Sequence, residues 1–322
     1  MSDHPESQQF EEWRRFWKSE QPEAARKAIK LPSLFQLWKS TLEQLSLPSK
    51  GSVLLELGAA AGSVSRIASQ IPSLSANKML AFDASIEALA LLQNGESAVV
   101  GDIRRLPFAT HCAKLVTSQF AVEYVDVASM LAALDCVAPG GYFVYVLHLK
   151  QGAIDIECGI NRDLVQTFIN SDFLSAANRL LCSALDNETD TDQRFKANAF
   201  KAALGNTESA LLKAPECQGR DTLLRVYNAV ADMIEAPAAF SRPEVVRWFD
   251  STSAELASYV ARMSQMQNAA LSEDELSAFS DAAIARGFTI LREGAVFDRS
   301  LSVRSVPIAF HIVGRRDQEA PE

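Results

Sequence analysis

The sequence lacks an apolar run of the roughly 20 residues that a membrane-spanning helix requires. Its first residues, Met1 to Phe10, are polar and acidic where a secretory leader would be basic and then apolar. A soluble, cytoplasmic chain with no membrane partner is therefore expected. Cysteine is scarce: Cys112, Cys136, Cys158, Cys182 and Cys217 are odd in number, and no two stand at CxxC spacing. The four histidines, at positions 4, 111, 148 and 311, show no helical pairing. Neither a disulfide framework nor a metal site is expected. Positive charge is short as well. The 31 Lys and Arg against 40 Asp and Glu leave a formal net charge of −9, which disfavours bulk binding to a phosphate backbone. Arg104-Arg105 and Arg315-Arg316 are too sparse for a nucleic-acid stripe and read as surface charges.

What is present is ordinary globular material, 48% hydrophobic and 22% charged. The 322 residues suffice for two compact units or one large domain carrying an insertion. Phe10, Trp13 and Trp17 recur at helical spacing, with Glu11, Glu12, Arg14 and Arg15 on other faces. A second helix is expected after Pro32, where Ser33 and Gln36 stand at capping-box spacing and Leu34, Leu37, Trp38, Thr41, Leu42 and Leu45 form one stripe. The breaker Leu47-Pro48-Ser49-Lys50-Gly51 ends it.

From Gly51 short apolar runs alternate with helical patterns, the mark of βαβ units around a parallel sheet. Strands are expected at Ser52–Leu57, Lys78–Phe82, Ala98–Val100, Leu115–Ser118 and Gly141–Leu149. Helices are expected near Ser63–Ile71, Ile86–Gln93 and Ser129–Val137, the last closed by Ala138-Pro139-Gly140-Gly141. After Lys150 the alternation stops for about 120 residues of helical stripes, such as Leu164, Phe168 and Ile169, or Leu256, Tyr259, Val260, Met263 and Met266. A helix near Ser272–Arg286 and strands at Phe288–Phe297 and Pro307–Val313 follow. The expected division is 1–50 as N-terminal helices, 51–150 as a ligand-binding core, 151–270 as a helical insertion, 271–314 as the rest of the core and 315–322 as a tail.

The informative stretch is Val53-Leu54-Leu55-Glu56-Leu57-Gly58-Ala59-Ala60-Ala61-Gly62-Ser63-Val64. An apolar strand enters a loop of small residues and then a helix, so backbone can approach a ligand at the strand's carboxyl end. Asp83 ends the next strand, 21 residues beyond Gly62, where a carboxylate can accept from both hydroxyls of a ribose. Asp102 follows the third strand, where it could accept from an adenine amino group. A nicotinamide-dinucleotide site fits less well. Its fingerprint needs glycine at the first, third and sixth loop positions, which hold Gly58, Ala60 and Ser63, and Glu56 would repel the pyrophosphate.

Together these residues resemble the class I S-adenosylmethionine-dependent methyltransferases. Glu56 with Gly58, Ala60 and Gly62 matches the family's acidic strand end and GxGxG-like loop, with alanine at the middle glycine. Asp83 matches the second-strand acid, and Gly101 to Phe108 the third-strand segment with its acid at Asp102. Thr117-Ser118-Gln119-Phe120 matches the fourth-strand segment, and Ala138-Pro139-Gly140-Gly141 the loop before strand five. The resemblance implies a doubly wound α/β fold of seven mostly parallel strands, Rossmann-like, with the last strand antiparallel and a helical cap inserted after strand five. It also implies S-adenosyl-L-methionine as cofactor, held by Glu56, Gly58, Ala60, Gly62, Asp83, Ala84, Asp102, Ile103 and Gln119.

Methyl transfer from a sulfonium is an in-line displacement, so positioning is the main task and a base helps when the acceptor is a hydroxyl or protonated amine. His148, after Tyr142 to Leu147, is the first candidate for such a base; the plainer reading is a histidine that hydrogen-bonds nearby backbone. Glu123 and Tyr124 come next, with helix capping or packing as their plain roles. Trp13, Phe16 and Trp17 could close over the cofactor or pack on the sheet's flank. Tyr259, Met263 and Met266 read as helical core. The expected activity is methyl transfer to O, N or C of a small organic molecule under the cap. RNA or protein as acceptor, or a cofactor-binding protein without turnover, are the alternatives.

Overall fold

Residues 54–57 and 142–147 are buried on both strand faces, so the centre of the sheet needs cover above and below. The computed structural model describes residues 5–18, 32–48, 50–92, 97–186, 188–298 and 305–318. Gln93, Asn187 and the end of the tail, 319–322, lie outside the described residues. Two compact units are present, one of Met1–Asp155 with Gln265–Glu322 and one of Ile156–Ser264.

The first unit opens with helices α1 (Pro5–Lys18) and α2 (Pro32–Gln44). It continues with β1 (Lys50–Leu57), α3 (Ser63–Ser69), β2 (Ala76–Asp83), α4 (Ile86–Leu89), β3 (Ser97–Val100) and β4 (Ala113–Gln119). Next come α5 (Val127–Ala133), β5 (Val137–Leu147) and the start of α6 (Ala153–Ile169). Among the described residues the sheet has seven strands in the order β3-β2-β1-β4-β5-β7-β6. β1 to β5 are mutually parallel, and β7 (Ala309–Arg316) runs antiparallel to both β5 and β6 (Phe288–Val296). This is the expected Rossmann-like fold.

Alternation sends successive residues to opposite faces. Leu55, Val116 and Phe143 face one hydrophobic cluster, shared with Met130 of α5 and with Leu276 and Phe279 of α11 (Glu273–Ala285). Leu54, Leu115 and Val144 face the other, shared with Leu34, Trp38 and Leu42 of α2 and with Val64 and Ile67 of α3. Each fully buried aliphatic or aromatic side chain contributes about 1.5–3 kcal/mol.

Two local expectations are corrected. The helix expected to run to Val137 stops at Ala133; a single turn, Leu134–Cys136, follows, and Val137 already belongs to β5. Ala138-Pro139-Gly140-Gly141 therefore lies inside a strand. The register passes from Ala113↔Val137 to Leu115↔Tyr142, so β5 carries extra residues as a bulge. A bulge accommodates both a proline without an N–H and Gly140 at φ +70°. The capping box at Ser33 is also absent. Pro32 begins α2, and the Ser33 hydroxyl donates instead to Asp298 Oδ2 at 2.8 Å. Such a box does form at α11, between Ser272 and Glu275.

The second unit is helical, built from the body of α6, α7 (Phe173–Leu185), α8 (Asp190–Lys213), α9 (Gln218–Glu235) and most of α10 (Arg242–Ala269). Its core holds Val165, Phe168, Phe173, Leu223, Val230 and Met233, and Tyr259 and Met263 are buried as read from the sequence. Among the described residues no helix is long and apolar enough to cross a membrane.

Candidate active site

The site forms where β1, β2, β3, β4 and β5 end, along one edge of the sheet. β1 runs out at Leu57, and the loop to α3 places Gly58, Ala60 and Gly62 at φ +61°, +46° and +70°. The left-handed conformation is open to glycine, and for alanine it costs about 1–2 kcal/mol. Ala60 is held there because its N–H donates to Asp83 Oδ2 at 2.8 Å, while the Ala59 N–H donates to the Phe82 carbonyl at 3.0 Å. The loop is thus tied to the end of β2. A Cβ at Gly58 would stand 2.0 Å from the Cβ of Ala121, so the first loop residue is glycine because the segment after β4 presses against it.

Glu56 is buried, and its carboxylate accepts from the backbone N–H of Val64 at 3.0 Å and of Ser65 at 2.8 Å, and from the Ser65 hydroxyl. It anchors the first turn of α3, a positioning role that the sequence reading did not distinguish from direct contact with a ligand. Asp83 accepts from Ala60 through Oδ2 and from the Ser85 N–H through Oδ1 at 2.8 Å. Burial pushes its carboxyl above the usual range, against the pull of these backbone donors and of Ala84. These backbone donors leave part of the carboxylate's accepting capacity for a ligand hydroxyl. Ala84 is half-buried beside it.

Asp102 has a partner that the sequence did not announce. Its carboxylate accepts from the Arg104 N–H at 2.9 Å and from Arg104 Nε at 3.1 and 3.0 Å, and it lies 2.9 Å from Nη2. Desolvation raises its carboxyl, but the Arg104 contacts together outweigh this and hold it below the usual range. Arg104 is therefore a partner of Asp102, where the sequence suggested a surface charge. Arg316 is corrected likewise. It donates to the Leu134 carbonyl at 3.0 Å, meets His111 Nε2 at 2.9 Å and lies over the Phe288 ring. Ile103 packs partly buried against the core below Asp102.

β4 and β5 supply the other half. Gln119 closes β4, and its side chain accepts from Trp38 Nε1 of α2. Phe120 follows at φ +54°, rare for a bulky residue and a marker of a site held under strain. This turn lays its ring against the His148 imidazole, with centroids 4.4 Å apart. A single turn, Val122–Tyr124, then brings Glu123 under the end of β5. Glu123 Oε1 accepts from the His148 backbone N–H at 2.9 Å and lies 2.8 Å from His148 Nδ1. The His148 carbonyl accepts from the Leu271 N–H at 2.9 Å, so backbone and ring are both fixed.

His148 and Glu123 are buried, and Glu123 Oε2 has no hydrogen-bond partner among the described residues. Tyr124 packs edge-on against His148 and against Trp13 of α1, each at 5.8 Å between centroids, and Phe16 joins Trp13. α1 is anchored by Arg14, 3.2 Å from Glu87 of α4. The structure thus brings His148, Glu123 and Tyr124 together at the strand ends, while His111 is exposed and elsewhere. Sequence reasoning missed the Trp38–Gln119 contact and the roles of Ala121 and Arg104. Trp38 on the buried stripe of α2 was a signal that the helix faces the sheet, but nothing in the pattern named Gln119.

Residues 55–145 match the family model described as a methyltransferase domain. No curated protein matches the chain. Among solved structures, a chain of the complex between the Haloferax volcanii Trm112 methyltransferase activator and its partner aligns at 10% identity, covering 92% of this chain and 95% of that one, with a TM-score of 0.47. An S-adenosylmethionine-dependent methyltransferase from Mesorhizobium loti aligns at 12% identity over 86% of this chain and 96% of that one, with a TM-score of 0.41. The geranyl diphosphate C-methyltransferase of Streptomyces coelicolor A3(2), bound to S-adenosyl-L-homocysteine, aligns at 12% identity over 34% and 44%, with a TM-score of 0.31. A mostly parallel sheet with an antiparallel last strand, a side-chain-poor first loop and a carboxylate at the end of β2 define a Rossmann-like α/β unit. Residues 55–145 thus carry a methyltransferase domain within a Rossmann-like sheet, and the chain is a methyltransferase with S-adenosylmethionine as its cofactor.

Proposed function

We propose that this enzyme methylates a hydroxyl or other protonated heteroatom of a small organic molecule, with His148 as the base. The observation that carries the reading is the buried contact between Glu123 Oε1 and His148 Nδ1. A carboxylate only accepts, so Nδ1 bears the hydrogen and Nε2 is left with its lone pair. Nε2 can then take the acceptor's proton as the methyl group leaves sulfur, and the adjacent carboxylate stabilises the imidazolium that results.

The residues present fit the cofactor. Asp83, whose carboxylate keeps accepting capacity beyond its backbone donors, suits the ribose hydroxyls, and Gly58, Ala60 and Gly62 admit the methionine end. Ala84, Ile103 and Asp102 suit the adenine, with Arg104 setting the carboxylate's angle, while Glu56 and Gln119 support the loops on either side. Bound there, S-adenosylmethionine supplies an electrophilic methyl carbon on a sulfonium. Phe120, Tyr124 and Trp13 supply an apolar wall beside His148.

A base this deeply buried suits an acceptor small enough to bring its heteroatom to the strand ends, and the net charge of −9 weighs against a polynucleotide. The test is incubation with methyl-labelled cofactor and cell extract. Label in a low-molecular-weight fraction, lost in His148→Asn, is expected. Label confined to protein or RNA would overturn the acceptor class, and cofactor binding without any transfer would overturn turnover itself.

A further inference from the structure

Cys112 and Cys136 are 24 residues apart in the chain and neighbours in the fold. Cys112 immediately precedes β4, and Cys136 immediately precedes β5. Just above them the pair Ala113↔Val137 opens the parallel ladder; just below, the His111 N–H donates to the Asp135 carbonyl at 2.8 Å. The two cysteines are held between these links, across an inter-strand spacing of about 4.8 Å. That lies within the roughly 4.4–6.8 Å of Cα separation that a disulfide spans. Both side chains pack on the same hydrophobic cluster. Cys136 is buried and Cys112 partly exposed, so an entering reagent reaches Cys112 first.

We propose that Cys112 and Cys136 form a reversible disulfide by exchange with a small-molecule disulfide, making the amino ends of β4 and β5 a covalent modification site. The Cys112 thiolate attacks one sulfur of the reagent and breaks its S–S bond. One thiolate leaves and takes up a proton, and a mixed disulfide remains on Cys112. Cys136, as thiolate, then attacks Cys112 Sγ and expels the second small thiol. In sum the two cysteines lose two protons and two electrons, and the reagent is reduced to two thiols. Burial, and then the neighbouring Cys112, push the Cys136 thiol up to about 12, so the closing step is the slow one and quickens as pH rises. The bond closes a loop that contains Gln119, Phe120, Glu123 and Tyr124, and so constrains the segment that builds the site.

The test uses the full reduced chain with oxidised glutathione over a range of alkaline pH, followed by alkylation of residual thiols and peptide mapping. The expected product is a cross-linked pair of peptides holding Cys112 and Cys136, lighter by two hydrogens, cleaved by dithiothreitol and formed faster at higher pH. Cys136→Ser is expected to stop at a stable glutathione adduct on Cys112. A lasting adduct on Cys112 of the unaltered chain with Cys136 still alkylated would overturn the proposal, as would a link through another cysteine or two thiols that stay free. The map of the unaltered chain decides this without any variant.

Discussion

Replacing Gly58 by alanine tests whether the loop after β1 and the Phe120–Glu123 turn are one mechanical unit. The added Cβ would stand 2.0 Å from the Cβ of Ala121, where carbon atoms rest at about 3.5–4.0 Å. The loop or the Phe120–Glu123 turn must therefore yield by about 1.5 Å. The left-handed φ of +61° adds about 1–2 kcal/mol to the cost for a residue with a side chain. Because Ala121 lies between Phe120 and Glu123, the displacement reaches His148. A misplacement of about 1 Å in a reacting constellation costs roughly 100-fold in rate. Gly58→Ala is thus expected to lose at least about 2 kcal/mol in urea unfolding and about 100-fold in label transfer from methyl-labelled cofactor. Gly58→Ala with Ala121→Gly removes the overlap and keeps the dihedral cost, so transfer should largely return while about 1–2 kcal/mol of stability stays lost. The double-mutant cycle should give a favourable coupling of about 1–3 kcal/mol. A coupling below about 0.5 kcal/mol, the two changes simply adding, would refute the account of why glycine stands there.

His148→Asn and Glu123→Gln are each expected to lower transfer by about 10²- to 10⁴-fold with cofactor affinity unchanged in calorimetry; full turnover in either variant would remove the dyad from the chemistry. Asp83→Ala should weaken cofactor binding by up to about 3 kcal/mol, and unaltered affinity in a folded variant would refute the ribose assignment. His311 is buried against Thr41 of α2, and burial, with the Arg292 charge, lowers it to about 4 from the usual 6.5. Between these values the unfolded chain takes up a proton that the folded one refuses, so stability falls as pH drops, by about 3 kcal/mol in all. Urea midpoints at about pH 7.5 and 4.5 should diverge more in the unaltered chain than in His311→Gln, and equal divergence would exclude His311 as the cause.

The fold was legible because two physical signals, alternating apolar runs and small-residue turns, act locally. Leu54, Leu115 and Val144 belong to runs apolar on both faces, which only a covered parallel sheet tolerates. The Ala138–Gly141 segment misled for the same reason. Proline and two glycines are local breakers, but pairing with β4 turned them into a bulge, and that pairing depends on residues far away in sequence. Of the site, Gly58, Gly62 and Asp83 stood at telling positions after strands. The linkage of His148 to Glu123 was not readable. It requires Phe120 to turn through φ +54°, a conformation that the residue type does not announce. Arg104 looked like surface charge because a two-residue fork onto Asp102 has no periodic signature.

The place of β7 bears on how the chain is made. Among the described residues it is the last strand in sequence, yet it lies between β5 and β6, and β6 pairs there with no other strand. On the ribosome, β5 therefore emerges with a bare edge that stays open while the whole of Ile156–Ser264 is translated. Only when Ala309–Arg316 clears the exit tunnel can the sheet be completed, so a chain halted before that point offers its sticky flank to other polypeptides and to chaperones.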